Sequence, residues 1–339
     1  MKPICLIRGA ACLLLLLGST SLPVDARPLL PGEAVQEKDA APYAGFAWRV
    51  DAVNEDARTL PKNFRTSDDP FREANVKKFP AADPAFIPSR KGLATLRISR
   101  SAAFSKSSLA AIKDVLRKHT AGPIYIVYLR QESHGFLNGY GVSWYGLRDW
   151  GNLGKSRHAA LQEETRRLKK TIGTIQYLAK FSQKKLPDGG WVFPITEALT
   201  EEELTRENGL GYVRITATDH VWPAPSCIDD FIRFYRRLPK DSWLHFHCAA
   251  GVGRTTAFIA MTDMMRNPDV PLKDILYRQH LLGGYFYAAP TSQTGNVSWK
   301  IPYQQEKVDM LKVFHDYVAE NHASNYQTSW SQWLRKVHP

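Results

Sequence analysis

Apolar residues change period several times along this chain, and each change marks an element. Leu109, Ile112 and Leu116 recur at helical spacing behind several serines able to cap, and Gly122-Pro123 closes that stretch. The run Ile124-Tyr125-Ile126-Val127-Tyr128-Leu129 is short, β-branched and aromatic, which predicts a buried strand. Residues 156 to 170 read as a polar helix, and Thr171 to Leu199 as short strands broken at Pro187-Asp188-Gly189-Gly190. Tyr212 to Ala217 predicts another strand. Ser226, with Asp229 three positions on, reads as a capping-box-like start to a helix whose Ile228, Phe231, Ile232 and Tyr235 share a face. A strand from Trp243 to His247 follows, and then Ala257, Phe258, Met261, Met264 and Met265 recur as the core face of a helix. Strands alternating with helices predict an α/β fold.

Composition adds size and compartment. With 339 residues and 44% hydrophobic content, the chain can bury a sizeable core. Its first residues read as an export signal: Lys2 and Arg8, the apolar run Ala10 to Leu17, then Val24-Asp25-Ala26, with cleavage expected after Ala26. A lipoprotein reading through Cys12 is weaker, since the apolar run follows that cysteine. No later stretch approaches the ~20 apolar residues of a spanning helix, so a soluble protein, periplasmic or extracellular and without stable membrane association, is expected. Removing the leader also removes Cys5 and Cys12, leaving Cys227 and Cys248. Two cysteines are not a disulfide framework; they are small core residues, a single bridge, or include a reactive thiol.

The formal charge of +12 comes from 45 basic and 33 acidic residues, and about +11 remains without Lys2, Arg8 and Asp25. Such a field attracts polyanions. Nucleic acid is disfavoured because no recognition motif accompanies the charge, and Arg166-Arg167-Leu168-Lys169-Lys170 and Arg236-Arg237 read as solvated helix faces.

The chemistry concentrates in HCAAGVGRTT, residues 247 to 256. Between a buried strand and a helix, Cys248, Ala249, Ala250, Gly251, Val252, Gly253 and Arg254 can curl so that successive N–H groups point into one concavity, a nest for a tetrahedral oxyanion. The helix aims its positive end at the same place. A free thiol with a pKa of about 8.5 falls to roughly 3.5–7.5 in such surroundings. Arg254 offers a planar fork for two phosphate oxygens, and Thr255 a hydroxyl for the sulfur. His245 and His247 share a strand face and read as structural rather than zinc-binding, because no carboxylate or second cysteine lies at ligand spacing. A nucleotide-binding Gly-x4-Gly-Lys-Ser/Thr run is absent. A thiolate attacking phosphorus needs an acid for the departing alkoxide, and Asp219 in Thr218-Asp219-His220-Val221-Trp222-Pro223 sits on a loop at the expected sheet edge.

With HCAAGVGRTT and TDHVWP, the stretches LRQESHG (129 to 135), RDWGNLGKS (148 to 156), KLPDGG (185 to 190), LYRQH (276 to 280) and SWK (298 to 300) make the chain resemble the bacterial protein-tyrosine-phosphatase-like inositol phosphatases, the cysteine phytases. The resemblance implies a tyrosine-phosphatase-like central sheet flanked by helices, with a small partial β-barrel expected from about 43–60 and 171–200. It implies sequential removal of phosphates from myo-inositol hexakisphosphate, a polyphosphorylated small molecule, with no metal and no cofactor. Carried over, Cys248 is the nucleophile, Arg254 the phosphate clamp and Asp219 the general acid and later base. Arg65, Asp149, Lys185, His220, Lys300 and Lys307 match positions lining the family's substrate pocket, while Glu132, His134 and His247 support the site. Tyr128, Ala249, Lys184 and Gln304 depart from the family's usual Asp, Glu, His and Tyr. Two alternatives stay open: a protein tyrosine phosphatase, and a non-catalytic polyanion-binding protein.

Overall fold

The computed structural model describes residues 43, 45–55, 57–72, 83–182, 186–289 and 299–337. The expected leader, Lys184 and Lys185 lie outside them. Among the described residues no helix is long and apolar enough to cross a membrane.

The central sheet has five strands. In spatial order they are β10 (Gly211–Arg214), β4 (Ile124–Tyr128), β11 (Trp243–His247), β3 (Ile98–Ser101) and β2 (Arg65–Thr66). The first four run parallel, and β2 closes the edge antiparallel to β3. Strand periodicity decides which face each residue covers. Leu244, Phe246 and Val127 enter a core shared with α4 (Pro225–Tyr235), α5 (Gly253–Arg266), α7 (Lys300–Asn321) and α8 (Trp330–Val337). Trp243, Ile124 and Ile126 point the other way, onto α1 (Lys106–His119) and α3 (Glu201–Glu207). Helices on both faces of a parallel sheet leave its carboxyl edge as the natural crevice.

Ser105 caps α1, accepting from the Ser108 amide. Helix α4 departs from expectation. Its cap is Ala224 with Pro225 in the first turn, so the capping-box-like start at Ser226 is not used. The fixed φ of proline pre-organises that turn, and Asp229 instead accepts from the Ser331 amide at 3.0 Å, tying α4 to α8.

A second, open sheet of six strands runs β8 (Pro187–Pro194), β7 (Ile175–Phe181), β1 (Ala47–Ala52), β6 (Tyr140–Tyr145), β5 (His134–Leu137) and β9 (Ala198–Leu199). Its small core joins Trp48, Leu137, Val142 and Leu178 to Leu168 of α2 (Arg157–Lys169). The β5–β6 hairpin was not foreseen. It turns through Asn138 and Gly139, with φ of 48° and 82°, the pairing that a two-residue hairpin loop demands.

Candidate active site

Strand β11 delivers Cys248 to the carboxyl edge, where the residue is 3% exposed. The chain then turns through Gly251 at φ +67°, and a Cβ there would lie 2.2 Å from the Ser101 carbonyl, so only glycine fits. Neighbours hold the loop carbonyls: Ala103 N–H donates to Ala249 O at 3.0 Å and Asn63 Nδ2 to Ala250 O at 2.9 Å. The N–H groups of Ala249 through Thr255 donate to no acceptor among the described residues, and Val252 caps α5 without a side-chain bond. A cradle of unanswered donors at a positive helix end favours a bound oxyanion.

Arg254 crosses this cradle at 3% exposure. Its Nη1 donates to Glu132 Oε2 at 2.7 Å and to Ala217 O at 3.1 Å, and its Nη2 to Glu132 Oε1 at 2.8 Å. A guanidinium has five donors. Three are therefore fixed, and the Nε–H with the second Nη2 proton remains as a parallel pair, the fork that matches two phosphate oxygens. Nε has no hydrogen-bond acceptor among the described residues and lies 3.2 Å from Asp219 Oδ1.

Glu132 also accepts from Arg130 Nε at 2.6 Å, and Arg130 Nη1 reaches Asp51 at 2.8 Å. Arg214 Nη2 donates to the Glu132 carbonyl at 3.0 Å while its Nη1 holds Glu164 at 2.5 Å. Burial opposes charge on Glu132, but Arg254 and Arg130 outweigh it and keep the carboxyl below its ordinary value.

Asp219 follows β10 on a loop fixed at several points. Trp150 Nε1 donates to its carbonyl at 2.9 Å, and the buried Lys307 of α7 donates to the His220 carbonyl. His220 takes φ +70° and puts Nε2 3.3 Å from Asp219 Oδ2. Burial pushes the Asp219 carboxyl up, yet Arg254, His220 and Lys307 together hold it well below the usual carboxylate range. Burial draws His220 down to about 4 and Lys307 down to about 8.

Asp149 ends a turn whose Leu147, Arg148 and Asp149 all have φ between 47° and 66°, strain of the kind that collects at functional sites. Burial raises its carboxyl to about 6 against the pull of Arg49, whose Nη1 stands 3.4 Å away. Lys300, Gln304 and Lys307 recur along one face of α7, and the charge of Lys300 is felt at both His220 and Lys307.

The structure thus brings together Cys248, Arg254, Asp219, Glu132, His220, Lys307 and Asp149. Thr255 is buried, but its hydroxyl has no partner among the described residues and makes no bond to sulfur. Cys227 and Cys248 are both free, which removes the bridge; Cys227 donates to the Thr216 carbonyl at 3.4 Å, and burial pushes its thiol up to about 11. His245 lies between Ser99 and Ser101, at 2.9 and 3.0 Å. His247 Nε2 meets Glu201 at 2.7 Å, and His134 Nδ1 stands 3.5 Å from the same carboxylate. Tyr128, at a family departure, stacks on His247 at 5.0 Å. Arg65 lies on β2, its Nε 3.1 Å from Asp69 and its Nη2 donating to the Pro70 carbonyl at 3.2 Å. Sequence reasoning missed Arg49; Arg49 and Asp51, two apart on a strand, were the available signal of a shared polar face.

A sequence model of the PTP-like phytase family, described with inositol hexakisphosphate, matches residues 127–266. The PTP-like myo-inositol phosphatase from Mitsuokella multacida, solved in complex with myo-inositol-(1,3,4,5)-tetrakisphosphate, is 47% identical, with a TM-score of 0.79 over 86% of this chain and 49% of its own. A PTP-like phytase from Bdellovibrio bacteriovorus is 30% identical, with a TM-score of 0.65 over 86% of this chain and 96% of its own. Effector protein hopD2 of Pseudomonas syringae pv. tomato is 30% identical over 240 residues, 68% of this chain and 50% of the effector. The chain spans about half the length of the Mitsuokella protein and of the effector.

Proposed function

Because this chain belongs to the protein-tyrosine-phosphatase-like phytase family, we propose that it is an exported phosphatase that strips phosphates from myo-inositol hexakisphosphate through a phosphocysteine. The observation that carries this reading is the free fork of Arg254, held by Glu132 beside Asp219 and over the cradle that begins at Cys248.

The reaction follows from those positions. A substrate phosphate enters the cradle, receives the N–H groups of residues 249 to 255 and takes the Arg254 fork. Its negative charge answers Arg254 and relieves the interaction that keeps Asp219 ionised, so the carboxyl takes up a proton. The Cys248 thiolate attacks phosphorus as the P–O ester bond breaks, and the departing oxygen takes the Asp219 proton. Asp219, now a carboxylate, accepts a proton from water; the water oxygen attacks phosphorus, the S–P bond breaks, and orthophosphate leaves with the thiolate restored. Lys307, Lys300, His220 and Asp149 line the approach and meet the remaining phosphates. Lys185 joins them in this proposal on the family match alone. The basic charge of +12 suits a substrate carrying many phosphates.

The test is phosphate release by residues 27–339 on inositol hexakisphosphate and on a phosphotyrosyl peptide, side by side, with Cys248→Ser as blank. Strong preference for the inositol phosphate, lost in the variant, is expected. Preference for the peptide would overturn the substrate, and full turnover by the variant would overturn the mechanism. Export through a leader ending at Ala26 predicts that the protein recovered outside the cytoplasm begins at Arg27, read by N-terminal sequencing.

A further inference from the structure

Among the described residues Arg100 of β3 is a buried cation bonded to neutral oxygens alone. It is 4% exposed, its Nε has no acceptor, and no described carboxylate pairs with it. Its Nη2 donates to Leu282 O, just past α6 (Leu272–Leu281), at 3.2 Å, and its Nη1 to Thr256 Oγ1 at 3.4 Å. A buried guanidinium in such surroundings is costly unless a negative charge stands near it.

The fold places one there. Strands β3 and β11 are parallel neighbours, with Arg100 in register with Phe246. Side chains two apart on a strand share a face, so Cys248, two residues beyond Phe246, leaves the sheet on the side that Arg100 takes, toward α5. Thr256, which receives Arg100, donates in turn to the Val252 carbonyl of the cradle and accepts from the Tyr285 amide at 3.0 Å. Burial draws the Arg100 guanidinium down to about 10, Cys248 opposes that fall, and Arg65 and Arg72 add to it; it is cationic at neutral pH. Arg254 also feels the Cys248 charge, but its own is already taken up by Glu132 and Asp219. Tyr287, on the remaining side, is held protonated by burial, and His247 turns to Glu201 on the opposite sheet face.

We propose that Arg100 is the countercharge of the Cys248 thiolate, a positioning residue outside the HCAAGVGRTT motif that keeps the nucleophile ionised before substrate arrives. The proposal rests on the reading of Cys248 as nucleophile and not on which ester is hydrolysed. It gives the buried guanidinium its anion and the thiolate a cation that Glu132 does not share.

The test alkylates the full chain with iodoacetamide, without substrate or phosphate, over a range of pH, and follows the peptide carrying Cys248 by mass. On the rising acid limb of the profile, Arg100→Met is expected to slow modification of Cys248 by about tenfold, the thiolate lost when one nearby opposite charge is removed. The whole profile then moves to higher pH. Arg100→Lys keeps the charge and should retain most of the rate. Thermal unfolding above neutral pH separates this from a purely structural role. Arg100→Met should lower Tm in the wild-type background but not in Cys248→Ser, where the guanidinium has no anion to answer. An unmoved profile in Arg100→Met, an equally slow Arg100→Lys, or the same loss of Tm in both backgrounds overturns the proposal. Alkylation is read without turnover, so its failure leaves the phosphocysteine untouched, whereas full turnover by Cys248→Ser strikes that reading and leaves the titration standing.

Discussion

Arg254 leaves the site little slack, since Glu132 and Ala217 take three of its five donors and the remaining pair has one direction to face. Glu132→Gln is therefore expected to do more than weaken binding. It leaves Arg254 and Arg130 buried around a neutral amide, and denaturant unfolding should show a loss of roughly 3–5 kcal/mol, the usual consequence of stripping a buried charge of its partner. Asp219 makes a sharper test of chemistry. Asp219→Asn should lower kcat on inositol hexakisphosphate by about 10²–10⁴, and far less on p-nitrophenyl phosphate, whose leaving group departs without a proton; equal losses on both would contradict the acid role. Cys248, Arg254 and Asp219 were identified as candidates because each sits in a contiguous motif whose chemistry reads locally. Arg49 was not, because it meets Asp149 only after 100 residues of intervening chain fold between them.

At the scale of elements, the cradle depends on one backbone conformation. Gly251→Ala must place a methyl against the Ser101 carbonyl at φ +67°; the strain alone is worth about 1–3 kcal/mol, so phosphate binding and thermal stability should fall together. The first turns of α7 carry a pH dependence. Lys307 is cationic below its lowered value of about 8 and loses its charge as pH rises through it. The KM for inositol hexakisphosphate should therefore climb above that pH, and Lys307→Met should raise KM at neutral pH and flatten the climb. Helices α1, α2, α4 and α5 and strands β4, β10 and β11 were readable from periodicity, since each buries one face or lies in a two-sided core, whereas β3, α3, α7 and α8 were not foreseen. The β5–β6 hairpin escaped because its strands are almost wholly buried and show no alternation, although Asn138-Gly139 was a turn signal in plain view. The start of α4 was misplaced by two residues because the cap is Ala224, followed by Pro225 in the first turn, and not Ser226.

The whole molecule carries a formal charge of +12, and under the proposed function its carboxyl sheet edge receives a polyanion. Association steered by such a field weakens with screening, so kcat/KM for inositol hexakisphosphate should fall with added salt more steeply than kcat/KM for p-nitrophenyl phosphate; parallel slopes would deny the field a part in substrate choice. The α/β fold and the crevice at its sheet edge followed from strand–helix alternation; in the six-strand sheet β1 and β7–β9 fall within the expected 43–60 and 171–200, whereas the β5–β6 hairpin that joins them was not foreseen. The measurement that bears most directly on the account is a rapid acid quench during turnover of inositol hexakisphosphate, followed by mass analysis of the peptide carrying Cys248. A phosphate on that cysteine, accumulating in Asp219→Asn because water is no longer activated and absent in Cys248→Ser, is the predicted result. Orthophosphate released at full rate with Cys248 never modified would contradict it.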